Sequence, residues 1–306
     1  MKRDLITLLD YSSAEILSLI DSADRLKKQK GKLRADLKGK SVALVFQKPS
    51  NRTRVSFEVG VYELGGHCLY LGSDEINLGK RETTHDVAKT LSRYVHCIVA
   101  RVFHNKDIVE LAQHADVPVI NALCDLYHPC QALADIQTIR EQLGKFKGLT
   151  IAYVGDGNNV FHSLMVACAK VGIHVRFAGP RGYDPNAWIV DEARKIAKKN
   201  KCTIELGRDP KAAVKGAHVI YSDVWVSMGQ EKETARRIEE FKGYQINEDL
   251  VKLADKNYIF MHCLPAHRGL EVTAGIIDGK HSVIFDQAEN RLHAQKAVLL
   301  KLLKKG

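Results

Sequence analysis

The 306-residue chain has no Cys-x-x-Cys pair, no internal repeat or low-complexity tract, and no run of about 18 apolar residues. These absences argue against a clustered-cysteine zinc module, a repeat architecture and a membrane-spanning helix. The N-terminus, Met1-Lys2-Arg3-Asp4-Leu5-Ile6-Thr7, starts basic but lacks an apolar stretch of signal length. The seven cysteines (68, 97, 124, 130, 168, 202 and 263) are odd in number, and several lie in apolar runs. They read as reduced core thiols, so the expected location is the cytoplasm.

The length suits roughly two domains of about 150 residues, each able to bury a core without disulfides or metals. With 45% hydrophobic and 27% charged residues, the composition is that of a globular chain rather than a disordered one. Lys and Arg number 46 against 36 acidic residues, a net +10 that admits a nucleic-acid partner or a phosphate-binding enzyme. The excess sits in residues 27–40, residues 194–201 and the tail Lys301, Lys304 and Lys305. No aromatic interleaves the lysines of 27–40, so these runs read as solvated helix faces rather than a base-stacking surface.

Short apolar runs at 41–47, 67–71, 97–101, 118–121, 150–154, 174–178, 202–206, 218–222, 258–262 and 282–286 alternate with helical patterns. Nearly continuous apolar strands separated by helices predict buried parallel sheets, hence α/β. Ten strands suit two sheets, with the boundary expected near Gly144–Gly148, where a helix ends in glycine. A final helical pattern, residues 288–305, carries Leu292, Val298, Leu299, Leu302 and Leu303 at helical spacing and can pack back on either domain.

Between strand 41–47 and a helix stands Lys48-Pro49-Ser50-Asn51-Arg52-Thr53-Arg54. Backbone N–H groups at a helix start, hydroxyls and guanidinium forks suit a phosphate. Ser50 and Asn51 are also ordinary capping residues, but capping explains neither arginine. Gly39-Lys40-Ser41 is not a Walker loop, since Arg34 stands where the first glycine should be. In His128-Pro129-Cys130-Gln131, Pro129 can open a helix whose face His128 and Gln131 share; the competing reading is a capping histidine. Arg101 ends a strand at the edge where open α/β sheets bind ligands.

The later segment Gly155-Asp156-Gly157-Asn158-Asn159-Val160 starts like a dinucleotide fingerprint, but Val160 replaces the third glycine and no acid follows at Phe177-Ala178-Gly179. That argues against a nicotinamide-dependent dehydrogenase and leaves the amide of Asn158 or Asn159 for a smaller polar ligand, or simply a turn. Asp223, followed by Val224-Trp225-Val226-Ser227-Met228-Gly229, can pair with an ammonium group or cap a helix. His262, Cys263 and His267 raise zinc and nucleophile readings that spacing alone does not settle.

Taken in order, SNRTR, HPCQ, DVWVSMG, HCLP and DQAENR resemble the transcarbamylase family, and SMG with HCLP resemble its ornithine branch rather than its aspartate branch. The resemblance covers about Gln47 to Gln295. It implies two parallel-sheet domains joined by two interdomain helices. Residues 1–146, with helix 288–306 packing back, would bind carbamoyl phosphate, and residues 147–287 would bind L-ornithine, giving L-citrulline and phosphate. Position by position, it implies Ser50, Asn51, Arg52 and Thr53 on the phosphate, Arg101 bridging phosphate and carbonyl oxygen, and His128 joining Thr53 and Arg101 there. Pro129 and Cys130 belong to the same binding segment. Gln131 with the Leu264 backbone would hold the carbamoyl amine, and Arg291 would add a further contact. For ornithine the matches are Asn159, Asp223, Ser227 and Met228, with Cys263 beside the reacting amine as an orienting or proton-accepting neighbour. No metal or cofactor is implied. Asn51 stands where threonine is common, and Asn77 where relatives carry Gln or His in a loop reaching a neighbouring subunit's carbamoyl phosphate. A homotrimer or assembly of trimers, with shared sites, is the implied state. The same-family alternative is another acceptor amine, such as putrescine or N-acetylornithine.

Overall fold

The computed structural model describes residues 2–76, 78–79, 82–226 and 231–303. Two compact units emerge, residues 1–137 with 289–306, and residues 138–288. In the first, the order is α1 (Ser13–Lys27), β1 (Ser41–Phe46), α2 (Asn51–Glu63), β2 (His67–Leu71), α3 (Ser73–Ile76), α4 (Thr84–Tyr94), β3 (Cys97–Arg101), α5 (Asn105–His114), β4 (Val119–Leu123) and the start of α6 (Pro129–Leu143). The second holds β5 (Thr150–Val154), α7 (Asn159–Val171), β6 (His174–Ala178), α8 (Ala187–Lys199), β7 (Ile204–Gly207), α9 (Pro210–Val214), β8 (Val219–Ser222), α10 (Thr234–Glu240), α11 (Glu248–Val251), β9 (Ile259–His262), α12 (Ala274–Ile277) and the first turn of α13 (Ile284–Leu303). The expected α/β class, two parallel sheets flanked by helices, is what the chain adopts.

Every pairing between these strands is parallel, in the orders β2-β1-β3-β4 and β7-β6-β5-β8-β9. Parallel strands carry helices on both faces, which is why Val42–Phe46 and all of β3 are buried and read as unbroken apolar runs. Where β1 feeds β2 on one side and β3 feeds β4 on the other, the strand ends part and leave a crevice. In the second sheet, β5 and β8 part in the same way.

One expected strand is corrected. Residues 282–286 do not form a strand: Ser282 makes an isolated bridge to Phe260, and α13 starts at Ile284. Ile284 is buried while Phe285 is 71% exposed, so the run turns its apolar residues by helical spacing. Periodicity cannot settle so short an apolar run. The described residues therefore contain nine strands. The glycines expected to punctuate the turn before β5 do so, Gly144 and Gly148 taking φ of 72° and 79°.

All seven cysteines are free thiols, five of them buried. Among the described residues, no helix is long and apolar enough to cross a membrane.

Candidate active site

The first crevice is built on β1, β3 and α6. Ser50 caps α2 from an extended conformation, its Oγ accepting from the Thr53 N–H at 3.3 Å. The capping reading and the anion reading are compatible here, because a hydroxyl that accepts one bond keeps its proton to donate. Asn51 and Arg52 form the exposed and half-buried start of the helix, whose first-turn N–H groups lack intrahelical acceptors. Arg54 leaves this site: it pairs with Glu58 at 2.9 Å and lies 3.8 Å over the Tyr70 ring.

Arg101 ends β3 in register with Phe46, beside an irregularity between Ala100 and Arg101, and is 8% exposed. His128 precedes α6, and its carbonyl accepts from the Gln131 and Ala132 N–H groups. The His128 imidazole is held well below the ordinary 6.5, first by burial and then by the charges of Arg291, Arg101, Lys48 and Arg52. Four cationic side chains thus bear on one neutral ring. Lys48 was not singled out as a site residue from the sequence; burial and the Arg101 charge pull its pKa down, and its ammonium lies 5.2 Å from the Phe103 ring centroid.

Arg291, from α13, donates to Gln131 Oε1 at 2.7 Å and to Thr53 Oγ1 at 3.1 Å. Gln131 in turn donates to the fully buried Asp135 at 2.8 Å. Gln295, one turn beyond Arg291, sets its amide against the same guanidinium, and the amide orientation that satisfies both groups places its oxygen 3.1 Å from Nη2. Pro129 is the first residue of α6. The Cys130 side chain points into the core, 3.6 Å from the Asn121 carbonyl, with burial pushing its thiol up to about 12. Only its backbone can serve the expected ligand. Asn77, Ser227 and Met228 lie outside the described residues.

The second crevice joins the loops after β5, β8 and β9. Asn158 caps α7 through Oδ1, which accepts from the Val160 and Phe161 N–H groups, and its Nδ2 donates to Asp223 Oδ2 at 2.8 Å. The other Asp223 oxygen accepts from its neighbour Val224 at 2.8 Å and from the Cys263 thiol at 2.9 Å. Asn159 is the half-buried first residue of α7. Of the two amides the sequence offers here, Asn158 is bonded to Asp223. The Gly-x-Gly lookalike serves packing, since a Cβ on Gly157 would stand 2.3 Å from the Pro185 nitrogen.

Leu264, at φ 60°, donates its N–H to His262 Nδ1 at 2.9 Å. The His262 Nε2 faces the fully buried Glu271 at 3.4 Å. Ligand atoms of Asp223, His262 and Cys263 lie within 4.8 Å of one another, close enough for a divalent ion to reach all three. Such an ion would have to displace the thiol–carboxylate bond and the bond from Leu264. His267, the third member of the zinc reading, is not part of that cluster; its Nδ1 lies 3.8 Å from the other oxygen of Glu271, and its side chain is 53% exposed.

Each sheet therefore presents one kind of chemistry. The first offers cations and a helix N-terminus to an anion, and the second a buried carboxylate to a cation.

Residues 3–141 match the family model described as "Aspartate/ornithine carbamoyltransferase, carbamoyl-P binding domain", and residues 147–302 match "Aspartate/ornithine carbamoyltransferase, Asp/Orn binding domain". The chain is 54% identical over 303 residues to the ornithine carbamoyltransferase of Oceanobacillus iheyensis, covering 98% of this chain and 94% of that one. It is 54% identical over 299 residues to the anabolic ornithine carbamoyltransferase of Pyrococcus furiosus, covering 97% and 95%. The solved structure of the Pyrococcus furiosus ornithine carbamoyltransferase superposes with a TM-score of 0.96 at 53% identity, covering 99% of this chain and 97% of the other. The anabolic ornithine carbamoyltransferase of Campylobacter jejuni gives 0.93 at 40% identity, covering 99% of each. With both halves matched and relatives alike along nearly their whole length, the chain belongs to the aspartate/ornithine carbamoyltransferase family.

Proposed function

We propose that the protein transfers the carbamoyl group of carbamoyl phosphate to the δ-amine of L-ornithine, giving L-citrulline and phosphate. The observation that carries this reading is the buried Arg291 fork, held on Thr53 at 3.1 Å and on Gln131 at 2.7 Å, at the helix start capped by Ser50, with Arg101 and His128 buried in the same unit. In this reading residues 1–146 with 288–306 bind carbamoyl phosphate and residues 147–287 bind L-ornithine.

Ser50, Asn51, Arg52 and Thr53 hold the phosphate, with Arg101 reaching both phosphate and carbonyl oxygen. Pro129 fixes the start of α6 so that His128 and the backbone at Cys130 face the carbamoyl group. Because Thr53 Oγ1 already accepts from Arg291, its own proton is the one left to donate. Attack on the carbamoyl carbon builds negative charge on its oxygen. Donors set in place beforehand by Arg101, His128 and Thr53 stabilise that charge, each worth roughly 3 to 4 kcal/mol in comparable oxyanion sites. A neutral imidazole can donate there without becoming a competing cation. The Gln131 amide holds the carbamoyl amine.

On the ornithine side, Asp223 pairs with the α-ammonium, aided by Asn159, Ser227 and the Met228 backbone, while Cys263 orients the δ-amine. Asp223 together with the Ser227-Met228-Gly229 segment favours a free α-amino acid as acceptor. Putrescine and N-acetylornithine are accordingly less favoured acceptors. The amine attacks only when neutral; at an ordinary pKa of about 10.4, deprotonation at pH 7 costs on the order of 4.6 kcal/mol. We place the enzyme in the cytoplasm, in arginine biosynthesis, as a homotrimer or assembly of trimers. The test is citrulline formation across a panel of acceptors with carbamoyl phosphate: L-ornithine should be preferred by at least tenfold, and equal use of putrescine would overturn the reading.

A further inference from the structure

A buried arginine outside the groups used above ties together the two loops that carry the second crevice. Arg237, on α10, is 6% exposed. Its Nη1 donates to Asp156 Oδ2 at 2.8 Å and to the Trp225 carbonyl at 3.0 Å, and its Nε donates to Glu233 Oε2 at 2.9 Å. Asp156 lies in the loop after β5, and its carbonyl accepts from the Asn158 N–H at 2.8 Å. Trp225 lies in the loop after β8, two residues beyond Asp223. One guanidinium therefore fixes the loop of Asn158 and the loop of Asp223, the same pair joined directly by the 2.8 Å amide–carboxylate bond.

The surroundings keep this fork rigid. The guanidinium carbon lies 4.8 Å from the Tyr183 ring centroid, and Tyr183 packs edge-on against Phe241, which stacks on Trp225 at 5.6 Å. The Tyr183 hydroxyl donates to Glu240, and its carbonyl accepts from the Gly157 N–H at 2.9 Å, holding the first loop again. Three acceptors on three segments call for a planar, forked donor; a lysine ammonium lacks this geometry.

We infer that Arg237 is a positioning residue for the amino-acid substrate, holding Asp223 and Asn158 at the separation that receives the ornithine α-ammonium while touching neither substrate. This rests on the assignment of Asp223 to ornithine. Arg237 makes none of the first-crevice contacts, so its loss should be felt by one substrate.

The experiment is steady-state kinetics of the full-length enzyme and its Arg237→Gln and Arg237→Lys variants, with each substrate varied in turn and thermal midpoints recorded. The expected result is an ornithine KM at least tenfold higher in Arg237→Gln, a carbamoyl phosphate KM within about twofold of the parent, and a smaller ornithine effect in Arg237→Lys. An unchanged ornithine KM, with or without a lower midpoint, would overturn the inference, as would an equal rise in both KM values. Should Arg237→Gln not fold, Asp156→Asn carries the test, with an ornithine KM raised at least threefold expected and an unchanged one fatal. Failure of the parent enzyme to use ornithine would instead sink the assignment of Asp223, which keeps the two failures apart.

Discussion

Arg291 donates from Nη2 to the hydroxyl of Thr53 at 3.1 Å, so a residue near the end of the chain fixes the first turn of the helix that follows the first strand. Its Nη1 holds Gln131 at 2.7 Å, and the residue is 2% exposed. Replacing it by methionine removes the donor from the buried Gln131 and Thr53 oxygens, at a cost of about 1–3 kcal/mol for each buried acceptor left unpaired. The Arg291→Met protein should show a lower urea midpoint and a carbamoyl phosphate KM raised at least tenfold. Unchanged KM in a folded variant would remove Arg291 from the binding set.

Arg101→Leu leaves an apolar side chain at a buried strand end and removes the charge. Citrulline formation should fall by at least about a hundredfold while circular dichroism stays native. Near-parental activity would exclude Arg101 from stabilising the developing oxyanion.

His128 has a definite pH signature. Its folded pKa lies below the 6.5 of the unfolded chain, so the unfolded state binds the extra proton as pH falls through 6.5. Stability from this group is complete above pH 6.5 and lost below it, by roughly 1 kcal/mol between pH 7.5 and 5.5. Urea titrations should find that His128→Asn loses less stability over that interval than the parent. Above pH 6.5 the ring stays neutral, and the rise of rate with pH belongs to the substrate amine. A parent and variant with parallel pH–stability curves would contradict this.

Asn158 has two duties that substitutions separate. Asn158→Ala loses the α7 cap, about 0.5–2 kcal/mol, together with the Asp223 partner. Asn158→Asp retains a capping acceptor but sets a second carboxylate against Asp223. Calorimetry should rank the aspartate variant above the alanine variant in stability, while assays show a raised ornithine KM in both. Equal ornithine KM in the parent and the aspartate variant would show that Asp223 needs no amide donor.

Lys296 and Glu63 form a buried ion pair, with side chains 2% and 10% exposed. Lys296→Met alone strands a carboxylate and should cost about 3–5 kcal/mol, whereas Lys296→Met with Glu63→Gln should recover most of it. Denaturant melts of the two single variants and the double one measure the coupling. Additive losses would mean that the pair contributes packing only.

The sequence by itself determined the parts that depend on neighbours along the chain. Apolar runs marked the strands because both sheet faces are covered, and Ser50-Asn51-Arg52-Thr53 announced a helix start because capping is local. The motifs also carried the family. Only the tertiary structure decided what depends on strand order and helix phase. Residues 282–286 could be strand or helix until packing buried Ile284 and exposed Phe285. The bond from Asn158 to Asp223 needs the β5 and β8 loops side by side, a meeting of residues 65 positions apart. Lys48 stood in the same segment as Ser50 and Arg52 but without a role of its own, and Arg237 gave no sequence signal beyond charge, since what distinguishes both is the company of residues far away in the chain. Parallel sheets bring such residues together at their switch points, and no local pattern encodes that meeting.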